Sequence, residues 1–255
     1  MICLFIRVLD CFSEHEFRSV VKQLYNWMES SLQPDANLET RLHLITACCF
    51  LNQLYDSYNV IAVPHFGKII ELLPEVLIRC NARKTEAPSL LFVGNKETAA
   101  ALEANLLITL TIDFVTKCAK HPEFFTEDRA NLLLDPLIDE LEDSSCWGHE
   151  GRCVPHLADC LFQIANANNG MLADINTRIL LKSRSQSAKI RCRVLMVIER
   201  MYERMGEAVV PLLPCSLPFL SELIEDDNKK VEQQCDKVIA LLKRKFGEEI
   251  AQGLI

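Results

Sequence analysis

A chain of 255 residues can bury one sizeable core or, at most, two small domains. Hydrophobic residues make up 49% of it and charged residues 24%, the proportions of an ordinary globular protein rather than of a disordered chain. The formal net charge of −8 argues against a protein that coats nucleic acid with its whole surface, but it allows a local basic patch. With only 8 glycines, the chain is poor in material for hairpins and phosphate-binding loops, which favours helices.

The chain contains 12 cysteines, most of them within apolar helical runs, as at Cys48 and Cys49. The apolar start of the chain is interrupted by Arg7 and Asp10 before it reaches the length of a secretory signal. No stretch reaches the roughly 18 uncharged apolar residues typical of a membrane span. The sequence therefore predicts reduced cysteines in a cytosolic or nuclear protein with no membrane partner.

Helical periodicity runs through most of the chain, and strand alternation is almost absent. The first helix is predicted to begin at Ser13, which forms a capping box with Glu16, and to end before Pro34. The pattern predicts further helices at about 38–55, 64–77, 97–120, 127–142, 156–168 and 172–183, with a longer loop over about 83–95.

The last third of the chain repeats itself. At an offset of 41 residues, the segments 179–206 and 220–247 align, so that Val194 matches Cys235 and Gly206 matches Gly247. Helix pairs recurring every 40–47 residues or so are typical of HEAT and armadillo repeats. The sequence predicts an all-α fold, an α-solenoid of HEAT-type helix pairs, which forms a single array over 1–255 and is the C-terminal part of a longer one.

No phosphate-binding loop, nucleophile elbow or zinc-protease motif is present, so we expect no enzyme, no cofactor and no small-molecule substrate. The sharpest chemical pattern is a C-x-x-H-x-x-x-C-x-x-H cluster that is a weak candidate for zinc. Zinc fingers space their ligand pairs further apart, so we prefer a chance cluster in a helix-connecting loop. The cluster comprises Cys146, His149, Cys153 and His156.

A second pattern is basic. Between positions 178 and 198 there are six cations and no acid, and two lysines occupy the matching turn of the next repeat. Aligned turns place such cations along one edge of a solenoid, where they can bind RNA phosphates or an acidic partner; the alternative is an ordinary solvated helix face. We expect charge reversal at Arg184, Lys189 and Arg191 to weaken binding without unfolding the chain. This basic edge comprises Arg178, Lys182, Arg184, Lys189, Arg191, Arg193, Lys229 and Lys230.

Four stretches resemble the C-terminal region of the HEAT repeat-containing protein 1 family, also called the U-three small nucleolar RNA-associated protein 10 family. They are HEFRSVVKQLYNWMES, FFTEDRANLLLDPLIDELED, ILLKSRSQSAKIRCRVL and VVPLLPCSLPFLSELIEDDNKKVEQQCDKVIALL. The resemblance runs from about Glu14 to Ala251 and is weakest around 83–95 and 146–153. It therefore lends no support to a zinc site.

The resemblance implies a non-catalytic scaffold of the nucleolar small-subunit processome, in the nucleus, that acts in pre-rRNA processing and is linked to RNA polymerase I transcription. The implied partners are other processome proteins, pre-rRNA and the U-three snoRNP. Members of the family are far longer than this chain, which we expect to hold only the tail. The alternative is a HEAT-repeat adaptor from another pathway, such as nuclear transport or phosphatase regulation, that shares only the repeat chemistry.

Overall fold

The computed structural model describes residues 6, 8–9, 11–33, 38–83, 96–142 and 154–247. Among these residues no strand is present, and the prediction of an all-α protein is confirmed. The predicted loop over 83–95 lies outside the described residues apart from its first position. The described part of the chain forms ten α-helices, here numbered α1 to α10: Glu14–Ser31, Leu38–Tyr58, Gly67–Arg83, Lys96–Cys118, Glu127–Asp139, Val154–Ala167, Leu172–Leu181, Ala188–Met205, Leu213–Ile224 and Lys229–Phe246.

The chain divides into two compact units, Met1–Pro136 and Leu137–Ile255. In the first unit, α1 begins with the predicted capping box, in which Ser13 and Glu16 each satisfy the other's backbone N–H. The first four helices of this unit pack in two layers, since α1 contacts both α2 and α3, and α4 contacts both α2 and α3. Such packing between every second helix is typical of a helical solenoid.

The second unit repeats this arrangement with a regular period. Helices α6, α8 and α10 form one layer, and α7 packs on α9 in the other. Both helices of the α7–α8 pair begin 41 residues before their counterparts in the α9–α10 pair. The aligned positions Val194 and Cys235 are both fully buried, so the repeated apolar pattern is a repeated core. The predicted α-solenoid class is confirmed; a single array over 1–255, with repeats at 179–206 and 220–247, stays a prediction.

Glycine ends the second helix of both repeats. Gly206 has a φ of 57° and Gly247 a φ of 91°, values that side chains with a Cβ rarely adopt. Since the two glycines lie at matching positions, the second helix of each repeat ends at a residue with a positive φ.

One stretch, Ala188–Ile224, is long and apolar enough to cross a membrane by length and composition, with a mean hydropathy of 1.4 over its best window. The sequence analysis missed this stretch. It is not one straight helix, because Gly206 ends α8 and a seven-residue 3₁₀ turn precedes α9. Its residues Val194, Val197 and Leu220 are fully buried among neighbouring helices, so we interpret the stretch as two core helices of consecutive repeats.

A buried polar cluster joins the two repeats of the second unit. The Asn176 side-chain N–H donates to Ser216 Oγ at 3.0 Å, and Tyr202 O–H donates to Asn176 Oδ1 at 2.8 Å. The hydroxyl oxygens of Tyr202 and Ser216 lie 2.7 Å apart, and Ser216 also donates to the carbonyl of Leu212. Burial raises the pKa of Tyr202 to about 12, against the effect of these hydrogen bonds. The cluster therefore links α7, α8 and α9 through neutral side chains that hydrogen-bond to one another.

Candidate functional site

The basic edge lies at the turns within the α7–α8 and α9–α10 repeats, as the sequence predicted. Helix α7 ends at Leu181, a 3₁₀ turn spans Lys182–Arg184, and α8 begins at Ala188. In the next repeat Asn228 caps α10 by accepting a hydrogen bond from the backbone N–H of Lys230. Lys189 and Lys230 therefore occupy the second position of equivalent helices.

Two cations of the first turn bind acids at or near the ends of other helices. The ammonium of Lys182 lies 2.7 Å from carboxylate oxygens of both Asp139 and Glu142. The guanidinium of Arg184 donates to both carboxylate oxygens of Glu222, at 3.1 and 2.7 Å, and stacks 4.7 Å from the ring centroid of Phe219. These contacts tie the 182–184 turn to residues 40 positions earlier and 38 positions later.

Arg191 forms the most buried of these pairs. It donates to both carboxylate oxygens of Asp226, at 2.6 and 2.8 Å, and to the carbonyls of Ser185 and Gln186. The Arg191 side chain is 17% exposed and that of Asp226 is 6% exposed. The hydrogen bond from Arg191 holds the pKa of Asp226 below its usual value, against a smaller opposing effect of burial. We call these contacts of Lys182, Arg184 and Arg191 the ion-pair ladder.

Two further members of the basic edge also have intramolecular contacts. Arg193 is only 6% exposed and donates to the carbonyl of Leu141 at 2.9 Å. Arg178 pairs with Asp174 one helical turn earlier, at 2.8 Å. The interpretation of Arg191 and Arg193 as surface cations is wrong, because both side chains are largely buried and make polar contacts within the protein. Their proposed role in binding RNA or a partner stays a prediction that the structure does not test.

Three lysines of the basic edge are presented to solvent. Lys189, Lys229 and Lys230 are exposed, and none of them makes an ion pair within the described part of the chain. Lys237, which the sequence analysis did not single out, adds positive charge nearby. Burial raises the pKa of the Cys192 thiol, and the positive charges of Lys237 and Lys230 both oppose that rise. The surface open to an anionic partner is therefore smaller than the sequence indicated and is centred on the starts of α8 and α10.

The possible zinc cluster lies largely outside the part of the chain that the structure describes. Cys146, His149 and Cys153 lie outside the described residues, and His156 lies in the first turn of α6. Where the structure does describe the chain, no group of three or more His, Cys, Asp or Glu side chains is arranged to hold a metal ion.

Acid is expected to weaken the second unit. The folded-state pKa of Asp226 is lowered, and so is that of Asp159, where burial is outweighed by hydrogen bonds from Arg200 and Arg204. Since both folded values lie below the unfolded value of about 3.9, these groups contribute stability that is complete above that value and is lost as pH falls through the folded pKa. Thermal unfolding midpoints measured from about pH 7 down to about pH 3 should fall less steeply for Asp226→Asn than for the unchanged chain. If the unfolding midpoints of the two proteins fell equally steeply with pH, the assignment of a lowered pKa to Asp226 would be contradicted.

Residues 2–125 match the BP28CT (NUC211) domain. Among curated proteins, the HEAT repeat-containing protein 1 homolog of Caenorhabditis elegans is 43% identical over 97% of this chain, and human HEAT repeat-containing protein 1 is 30% identical over 95%. The U3 small nucleolar RNA-associated protein 10 of Pyricularia oryzae is 23% identical over 96%. The resemblance found in the sequence is thereby confirmed.

The chain spans only 15% of the length of the Caenorhabditis elegans protein and 11% of the human protein. Among solved structures, a designed armadillo repeat protein covers 95% of the chain at a TM-score of 0.33 and 14% identity. A second designed armadillo repeat protein covers 94% at a TM-score of 0.32.

Proposed function

We propose that the chain is a non-catalytic scaffold in ribosome biogenesis, because residues 2–125 match the BP28CT (NUC211) domain and nearly the whole chain is similar to a HEAT repeat-containing protein 1 homolog. More specifically, we propose that it acts in pre-rRNA processing as part of the nucleolar small-subunit processome. The identity of 43% over 97% of the chain carries this proposal. The name of the Pyricularia oryzae relative, which associates that protein with U3 small nucleolar RNA, supports it.

Stacked helix pairs suit this role because they expose a long surface relative to their core and can bind extended partners along it. In the second unit, intramolecular contacts occupy five of the eight cations of the basic edge, three of them in the ion-pair ladder. We therefore assign direct contact with pre-rRNA phosphates to Lys189, Lys229 and Lys230. The other processome proteins and the U-three snoRNP are the remaining proposed partners, and the proposed compartment is the nucleolus.

The test is affinity purification of the tagged chain from nuclear extract at mild salt, with bound proteins and RNA identified together. We expect processome proteins, U-three snoRNA and pre-rRNA to be recovered. Recovery of transport or phosphatase factors in their place would contradict the proposal and favour the adaptor alternative.

A matched pair of variants tests the RNA contact itself. One variant reverses Lys189, Lys229 and Lys230 to glutamate, and the control reverses the exposed Lys22, Lys68 and Lys120 of the first unit, so both change the net charge equally. Binding of a pre-rRNA fragment should weaken at least about tenfold in the first variant, with a shallower salt dependence by about one per lost phosphate contact. Equal losses in the two variants would show a nonspecific effect of net charge.

A further inference from the structure

The second unit contains a cavity of about 200 Å³ on the side opposite the repeat turns. It lies between the last turns of α6 and α8 and the short connections that lead into α7 and α9. We call its half-buried lining residues Phe162, Leu172 and Met205 the floor of the cavity, and its exposed polar residues Asn166, Asn169 and Arg204 the rim.

The volume and floor of the cavity match one large aliphatic side chain. Pockets for whole small molecules usually measure about 300–1,000 Å³, so this cavity is too small for a cofactor. Phe162, Leu172 and Met205 are each half-buried, and further burial under an inserted apolar side chain is favourable. Met205 adds an adaptable contact, because its side chain is unbranched and polarisable.

The rim offers hydrogen bonds that suit a peptide backbone. Asn166 and Asn169 are exposed, and no hydrogen bond from either side chain is found within the described residues. Each primary amide carries both donors and an acceptor, which complement the N–H and C=O of an extended chain. Two such amides three residues apart can therefore hold a strand-like segment above the floor.

The charge beside the cavity favours an acidic ligand. Arg200 and Arg204 both bind the single carboxylate of Asp159, with Arg200 at 2.9 and 3.2 Å. Arg204 also stacks 4.8 Å from the ring centroid of Phe162, so its guanidinium is held at the rim. The two guanidiniums share the one carboxylate of Asp159, so this group of three side chains carries a net positive charge that can attract a further carboxylate. The nearby Glu203 is itself contacted by Arg244, at 3.7 Å.

We propose that this cavity binds an extended acidic segment of a protein partner, with one large aliphatic side chain inserted against Phe162, Leu172 and Met205. Asn166 and Asn169 bind the backbone of that segment, and Arg200 and Arg204 bind its flanking Asp or Glu side chains. This proposal names a ligand class for a second surface, and it stands independently of the nucleolar assignment.

The probe is a fluorescent synthetic peptide in which one leucine is flanked by two acidic residues on each side. Binding to the full chain is followed by fluorescence anisotropy, alongside a peptide with glycine in place of leucine and a peptide with basic flanks. We expect saturable binding of the acidic leucine peptide and at least about fivefold weaker binding of the other two, as expected when one buried aliphatic side chain or the charge complementarity is lost. Equal binding of all three peptides, or none, would overturn the proposal.

Ala208→Trp fills the cavity from its exposed rim, and Ala173→Trp places the same side chain on the exposed start of α7 as a control. Peptide binding should be lost only in Ala208→Trp. If that variant has a lowered unfolding midpoint, the double variant Asn166→Ala and Asn169→Ala provides the same test with two exposed side chains. Undiminished binding in the double variant, or an equal loss in Ala173→Trp, would overturn the proposal.

Discussion

Replacement of Arg191 by glutamate is expected to lower the free energy of unfolding by about 1–3 kcal/mol, because it removes one partner of a part-buried ion pair and leaves Asp226 beside a like charge. Arg191 also loses its hydrogen bonds to the carbonyls of Ser185 and Gln186. A loss of this size is a large part of the roughly 5–15 kcal/mol that stabilises an ordinary domain. Urea unfolding followed by circular dichroism measures it.

The control is Arg184→Glu, since Arg184 and its partner Glu222 are both about half exposed. Exposed ion pairs contribute little to stability, so the midpoint of this variant should stay close to that of the unchanged chain. The coupling energy between Arg191→Ala and Asp226→Ala, from a double-mutant cycle, isolates the pair itself. If the Arg191 and Arg184 variants unfold at the same urea concentration, the burial of the Arg191 pair has no energetic consequence and the ladder is only a surface feature.

Replacement of Tyr202 by phenylalanine should destabilise the second unit by about 1–3 kcal/mol, the usual cost of a buried polar group left without its partner. The ring would still fill its place, while Asn176 Oδ1 would lose the hydroxyl that donates to it at 2.8 Å. Tyr25→Phe is the control, because the hydrogen bond of Tyr25 to Glu29 lies at the exposed surface. Thermal unfolding of the two variants, compared at equal concentration, measures the difference. A smaller effect at Tyr202 than at Tyr25 would contradict the structural role of the buried cluster.

The repeat architecture was accessible from the sequence because it depends on short-range periodicity. The capping box at Ser13 and the 41-residue offset between α8 and α10 are both patterns of residue type and spacing. The pairing of Arg191 with Asp226 was not accessible in this way. A charge pattern shows that a side chain is polar, but it does not show whether the side chain meets water or an acid 35 residues away.

The cavity had no signal in the sequence. Its lining comes from three helices and two connections between helices, and Phe162, Asn166 and Arg204 form no motif with one another. The Tyr202 cluster left a faint signal, since Asn176 and Ser216 interrupt otherwise apolar core positions of α7 and α9. Polar residues at such positions predict a buried partner, but the tertiary packing decides which one.

The ion-pair ladder bears on how the second unit opens. If the α9–α10 pair separated from the rest by itself, Arg191 and Arg184 would be left without their acids, and Tyr202 would lose Ser216. Repeat proteins otherwise tend to fray from an end, one helix pair at a time. Because of these contacts between repeats, separating the α9–α10 pair alone requires nearly as much free energy as opening both repeats. The two pairs should therefore respond to a pulling or bending load as one stiff segment, not as two hinged ones.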